Sequence, residues 1–272
     1  MKKFLGLLIA MSLSIPAFAS IVVSPTKIEI DANKVRNNYT TCAIDVKGDP
    51  EKPMRFKAYA GYFTITEKSA MELEQSTGDP HDISKKVRFV PSEFTIPPGK
   101  TQKLRVNIAN IKSLPDGESR AVLFIEDVNA KEINVPNNLG IGAQLVLKTR
   151  VGIPVYVDKG NYTKQADIES LEIVNIKNSY YTKMKILSTG NSKVRYFGKV
   201  QIVKGKKLID EYLIDSKVVG SDNFYVAEQK IITEKIKEAG DYTVRVILSY
   251  SDEKGNRKSI KKDAILQMKG VI

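Results

Sequence analysis

"IGAQLVLKTRVGIPVYV", residues 141–157, is the stretch that decides the fold class. Its only charged side chains are Lys148 and Arg150, and its aliphatic and β-branched residues mark a strand, with Pro154 in the last part. An average strand has about five or six residues, and this run is about three times that. At ~3.3 Å per residue it would span about 55 Å, longer than one β-sandwich usually needs. Read with period two, Ile141, Ala143, Leu145 and Leu147 share one apolar face, while Gly142, Gln144, Val146 and Lys148 make a mixed one. In an arbitrary β-protein the apolar row would lie in the core. So long a strand opens a second option, in which part of it projects along an edge and its apolar row serves another chain. An exposed apolar edge is an aggregation hazard unless binding there is its purpose.

Working outward, the same style fills the chain. Short alternating runs recur with turn residues between them: "IVVSPTKIEI", "TTCAIDVKGD", "MRFKAYAGYFTI", "TQKLRVNIANI" and "RAVLFIEDV". After residue 158 come "LEIVNI", "KMKILSTGN", "YFGKVQIVKG", "DYTVRVILSY" and "DAILQM". Many strands at short spacing, separated by Gly, Pro, Asn and Asp, predict an all-β chain of sandwiches rather than βαβ units. A chain of this length suits two domains, placed at 20–158 and 159–272 and joined near "VDKGNYTKQ" (157–165). Two internal echoes support a pair of like sandwiches. "TTCAIDVKGD" followed by "MRFKAYAGY" matches "TKMKILSTGN" followed by "VRYFGKVQI", and "FTIPPGKTQKLRVNI" matches "ITEKIKEAGDYTVRVIL". The polar stretch 65–85 reads as a long loop with room for a short helical turn.

The N-terminus addresses the compartment. A basic "MKK", an apolar "FLGLLIAMSLSIPAF" and the small-x-small Ala17-Phe18-Ala19 read as a signal peptide, residues 1–19, cleaved after Ala19. The mature chain is expected to be exported. Lys and Arg outnumber Asp and Glu by 43 to 31, a net charge of +12, but the signs are interspersed, as in "VRVILSYSDEKGNRKSIKKD". That pattern reads as a solvated, lysine-rich surface that blunts sheet edges, not as a nucleic-acid face. Cys42 is the single cysteine, so no disulfide within the chain is possible, and its strand-like context "YTTCAIDV" suggests a small buried thiol. Sequons at Asn38 and Asn161 matter only in a host that glycosylates.

A search for an active site finds little. The one histidine, His81, lies in "GDPHDIS" with Asp79 and Asp82. The reading preferred for that segment is a turn built from Gly78, Asp79 and Pro80, not a metal site. No nucleophile elbow and no phosphate-cradling glycine loop is present. An exported chain with one His, one Cys and no Trp reads as a binder rather than an enzyme, with no metal, nucleotide or other cofactor expected.

Four segments, in order behind a signal peptide, resemble the periplasmic pilus-assembly chaperones, the PapD-like family. They are "IVVSPTKIEID", "VRFVPSEFTIPPGKTQKLRV", "SLPDGESRAVLFIEDV" and "AQLVLKTRVGIPVYV". The resemblance covers most of 21–157; the C-terminal half matches in style, through "LSTGNSKVRYFGKVQIVKG". It implies two immunoglobulin-like β-sandwich domains set around a cleft. It also implies a periplasmic, ATP-independent chaperone that caps pilus or fimbrial subunits by donor-strand complementation, delivering them for assembly through an outer-membrane usher. Ile141, Ala143, Leu145 and Leu147 would then fill the gap in the subunit's sandwich. The free edge would also permit self-association.

The family anchors the subunit's terminal carboxylate with two basic residues. The first matches Lys27; the second aligns with Gly152, and Arg150, on the same strand face, is the candidate substitute. Of the family's structural charge cluster, Arg105 and Glu118 match, while an arginine expected near 156 is Tyr156. The rival reading is an exported immunoglobulin-like binding or adhesion protein that uses the sandwich without strand donation.

Overall fold

The computed structural model describes residues 21–74, 78–129, 131–135 and 143–268. The signal peptide expected at 1–19 and the donor position Ile141 lie outside them. Among the described residues the regular structure is strand, apart from three single-turn 3-10 helices.

In chain order the first half contains β1 (Val22–Ser24), β2 (Ile28–Asp31), β3 (Tyr39–Lys47), β4 (Met54–Ile65), β5 (Met71–Glu74) and β6 (Val87–Val90). It continues with β7 (Glu93–Ile96), β8 (Thr101–Ala109), β9 (Gly117–Asp127), β10 (Lys131–Val135), β11 (Ala143–Leu147) and β12 (Arg150–Lys159). One sheet has the order β1-β3-β8-β6; the facing sheet runs β2-β12-β9-β4-β5, with β7 also paired to β4. The opening segment changes sheets: β1 pairs antiparallel with β3, whereas β2 pairs parallel with β12. Pro25, Thr26 and Lys27 make the crossing, which puts Lys27 where β2 begins.

The core follows the alternation. In β4, Met54, Phe56 and Ala58 face it; in β12, Val151, Ile153, Val155 and Val157 do. Each fully buried Ile or Val contributes roughly 1.5–3 kcal/mol. The run Ala121–Ile125 of β9 is apolar without alternation because both its faces are covered. Ala121, Leu123 and Ile125 point into the sandwich, while Val122 and Phe124 join Phe63, Ile65 and Tyr156 in a second cluster on the reverse face.

The second half forms its own sandwich around its own core, which runs from Ala166 to Leu266. Its strands are β13 (Ala166–Ile176), β14 (Ser179–Ser188), β15 (Val194–Lys204), β16 (Lys207–Val219), β17 (Phe224–Lys230), β18 (Gly240–Ser251) and β19 (Arg257–Met268). The sheets run β13-β14-β17 and β16-β15-β18-β19. Two immunoglobulin-like β-sandwiches are thus joined through Gly160–Gln165. One internal echo is a topological match and the other is not. β3 pairs with β8 as β14 pairs with β17, so β8 corresponds to β17 rather than to β18. The echo of β8 in β18 reflects shared turn chemistry.

Three expectations need correcting. The long run is not one strand: it divides into β11 and β12 at Lys148–Thr149, in different sheets. The body ladder closes there, as Asp127 N–H donates to the Thr149 carbonyl (2.9 Å) and Val128 N–H turns to the Arg55 carbonyl (2.9 Å). The segment 65–85 is not merely a loop: β4 runs to Ile65, and β5 returns along it with Phe63 opposite Leu73. The turn between them docks on the second domain. Ser69 Oγ donates to the Val218 carbonyl (2.6 Å) and accepts from Val218 N–H (3.0 Å), and Asn223 Nδ2 donates to the Ile65 carbonyl (2.9 Å). Lastly, Arg105 and Glu118 do not form one cluster. Arg105 is exposed on β8, between Ala43 and Val90 on the outer face of the first sheet, whereas Glu118 is buried on β9 in the facing sheet.

Candidate functional site

Two features stand out on the six-stranded sheet: a ribbon that leaves it and a basic pocket at its base. β10 and β11 pair with each other and, among the described residues, with nothing else. Their register sets Ile133 opposite Leu145, Val135 opposite Ala143 and Lys131 opposite Leu147. The edge of β11 away from β10 has no strand beside it among the described residues. That free edge continues into β12, because β2 pairs only with Val155–Asp158. It ends at Pro154, beside Lys27.

Tertiary structure separates the two basic residues expected to act together. Arg150 stacks on the Phe124 ring (4.6 Å), donates to the Tyr59 hydroxyl (3.3 Å) and lies opposite Glu126. Four residues of strand, ~13 Å at ~3.3 Å each, separate it from the position beside Lys27. The glycine at 152 has a packing reason. A Cβ there would sit 3.1 Å from Val122 Cγ2 and 3.3 Å from the Phe124 ring, so the reverse-face cluster occupies the space that a longer side chain needs.

What joins Lys27 instead comes from the other domain. Lys27, Glu29, Lys164, Lys193, Arg195 and Phe197 line a cavity of 280 Å³ between the sandwiches. Lys193 and Arg195 were not singled out from the sequence. The signal was there: Lys193, Arg195 and Phe197 in "NSKVRYFGKV" alternate at period two, giving one strand face two cations and an aromatic ring. Lys193 is only 3 % exposed and is held by Glu118 Oε2 (3.3 Å), Glu29 Oε1 (3.5 Å) and the Tyr156 ring (3.5 Å). Tyr156 thus packs against a lysine arriving from the second domain. Burial, then the charge of Glu118, pushes the Tyr156 hydroxyl well above the usual tyrosine range.

The seam beneath this pocket is polar and tight. Glu118 also accepts from Lys193 N–H (3.1 Å), its own N–H donates to the Asn191 carbonyl (3.0 Å), and Asp158 accepts from Ser192 Oγ (2.7 Å) and pairs with Lys164 (2.8 Å). Gly117 makes the approach possible. Its φ is +100°, and a Cβ there would lie 2.8 Å from the Asn191 carbonyl oxygen. Burial raises the Glu29 carboxyl, but Lys193, Lys27 and Arg195 outweigh it and hold the group below the usual glutamate range. Arg195 is exposed and has no carboxylate within 4 Å among the described residues.

The remaining candidates are structural where they stand. Asp79 accepts from the Tyr62 hydroxyl and from His81 N–H, and Asp82 caps Ser84 N–H. Among the described residues no three metal-ligating side chains converge. Burial, then the bond to Asp79, pushes the Tyr62 hydroxyl up to about 12. Cys42 is half-buried, donates to the Val106 carbonyl (3.7 Å), and has its thiol pushed up by burial, which disfavours the thiolate.

No protein-family model matches the chain, and neither does any curated protein. Its solved structural neighbours include several chaperones. The YadV chaperone is similar at a TM-score of 0.47 and 15% identity, over 91% of this chain and 100% of that one. The CupB2 chaperone of Pseudomonas aeruginosa gives 0.43 at 13%, over 90% and 100%. The CsuC–CsuE chaperone–tip adhesion subunit pre-assembly complex from Acinetobacter baumannii gives 0.46 at 12%, over 89% of this chain and 98% of that one. At these identities the likeness is one of fold, and function has to be argued from the residues.

Proposed function

We propose that the chain is a periplasmic chaperone for pilus or fimbrial subunits, capping them without ATP by lending the strand β11 to an incomplete immunoglobulin-like sandwich. The carrying observation is the β10–β11 ribbon, whose strands pair with each other and, among the described residues, with no other strand. A partner strand laid along the edge of β11 away from β10 gains main-chain hydrogen bonds, and Ala143, Leu145 and Leu147, with Ile141, enter its open core. Each Leu or Ile so buried contributes roughly 1.5–3 kcal/mol.

The end of the edge supports the same reading. β2 runs parallel to β12 and takes over the edge at Val155. A partner strand running in the direction of β2 would stop at Lys27 with its chain end facing the pocket. A terminal carboxylate there would meet Lys27 and Arg195, in place of the Lys27 and Arg150 grip implied by the resemblance. Delivery to an outer-membrane usher and self-association through the same edge belong to this proposal.

The test is purification of the tagged protein from the periplasm, with mass spectrometry of what accompanies it. The expected result is a small β-rich exported subunit at about one to one. It should disappear with Leu145→Glu combined with Leu147→Glu while the chaperone's melting curve is unchanged. A clean monomer from cells expressing the neighbouring exported genes would favour the binding or adhesion module instead.

A further inference from the structure

The pocket contains a carboxylate of its own. Glu29 Oε2 lies 3.0 Å from Lys27 Nζ, and its Oε1 lies 3.5 Å from Lys193 Nζ. Glu29 therefore bridges the cation supplied by the first domain to one supplied by the second. It is not fixed as Glu118 is. The Glu29 side chain is 44% exposed, whereas that of Glu118 is fully buried.

The charges around the cavity show what an arriving anion meets. Four cations line it: Lys27, Lys164, Lys193 and Arg195. Three carboxylates pair with them: Glu29 with Lys27 and Lys193, Glu118 with Lys193, and Asp158 with Lys164. Of the four, Arg195 alone has no carboxylate within 4 Å among the described residues. A monoanion can pair with Arg195 at once, but it gains Lys27 only if Glu29 gives it up.

We propose that Glu29 is a built-in competitor for the carboxylate that this pocket takes, occupying Lys27 until a chain-terminal carboxylate displaces it. The proposal rests on reading the pocket as the seat of a partner's C-terminus. Its consequence is selectivity. Free anions win Arg195 alone and bind poorly, whereas a partner held along the β11–β12 edge presents its carboxylate at high effective concentration and can turn Glu29 outward. Half-exposed ion pairs are weak, about 0.2–1 kcal/mol, so this competitor is set to yield.

The test is an NMR titration of the full mature chain with acetyl-Gly-Gly-Phe bearing a free carboxylate, and with the same peptide as its amide. Wild type should bind the acid weakly and the amide not at all; Arg195→Gln should lose the acid. Glu29→Gln should bind the acid ~1.5- to 5-fold more tightly, with no gain for the amide. Glu29→Ser repeats the measurement should Glu29→Gln fail to fold. If the acid binds wild type and is lost with Arg195→Gln, but removing the Glu29 charge leaves its affinity unchanged or weaker, the competitor role is overturned and the pocket stands. If acid and amide behave alike in wild type, the pocket is not a carboxylate seat, and both readings fall.

Discussion

β11 and β12 come from one uninterrupted apolar run, yet they end in different situations. β12 is flanked by β9 along its whole length and by β2 at its end, and its odd residues, Ile153, Val155 and Val157, are fully buried. β11 has only β10. The alternation of apolar side chains is the same in both. What differs is how many strands lie beside each among the described residues.

The contrast between body and ribbon can be broken or sharpened by substitution. The largest loss is expected at the base of the body, where Glu118→Ala leaves Lys193 buried without its main partner. Breaking a buried pair costs about 3–5 kcal/mol, read as a lower midpoint in urea unfolding. Within the body, Ile153→Ala should cost about 2–5 kcal/mol through lost burial and a residual cavity, seen in the same assay. Where body gives way to ribbon, Gly152→Lys puts a basic side chain at the family's usual position but pushes into Val122 and Phe124. Overpacking of this kind costs about 1–3 kcal/mol, and calorimetry should show the lower melting temperature. In the ribbon, Leu145→Glu should change stability by no more than about 0.5 kcal/mol while abolishing capture of a subunit. A loss there as large as that for Ile153→Ala would place the 143–147 row in a core and remove the contrast.

Much of this was legible beforehand. The all-β class and the two sandwiches follow from alternation and turn residues, which act between neighbours in the chain. The division of the long run at Lys148–Thr149 was hidden, since it depends on where the β9–β12 ladder closes. So was the strand at 71–74, whose polar "MELE" is exposed along its length and carries no core signature. The pairing of Arg105 with Glu118 failed because it was transferred by motif, whereas the fold puts them in opposite sheets. Arg150 failed as a partner for Lys27 because sharing a strand face does not bring two residues to one place along the strand.

The sequence by itself determined where strands form and how their side chains alternate, because side-chain period and turn chemistry are local. Only the tertiary structure decided that Lys193 and Arg195 complete the cleft with Lys27, and that Glu29 already occupies it. Glu118 and Lys193 are 75 residues apart. No local pattern encodes a contact made when two separately cored sandwiches close on each other.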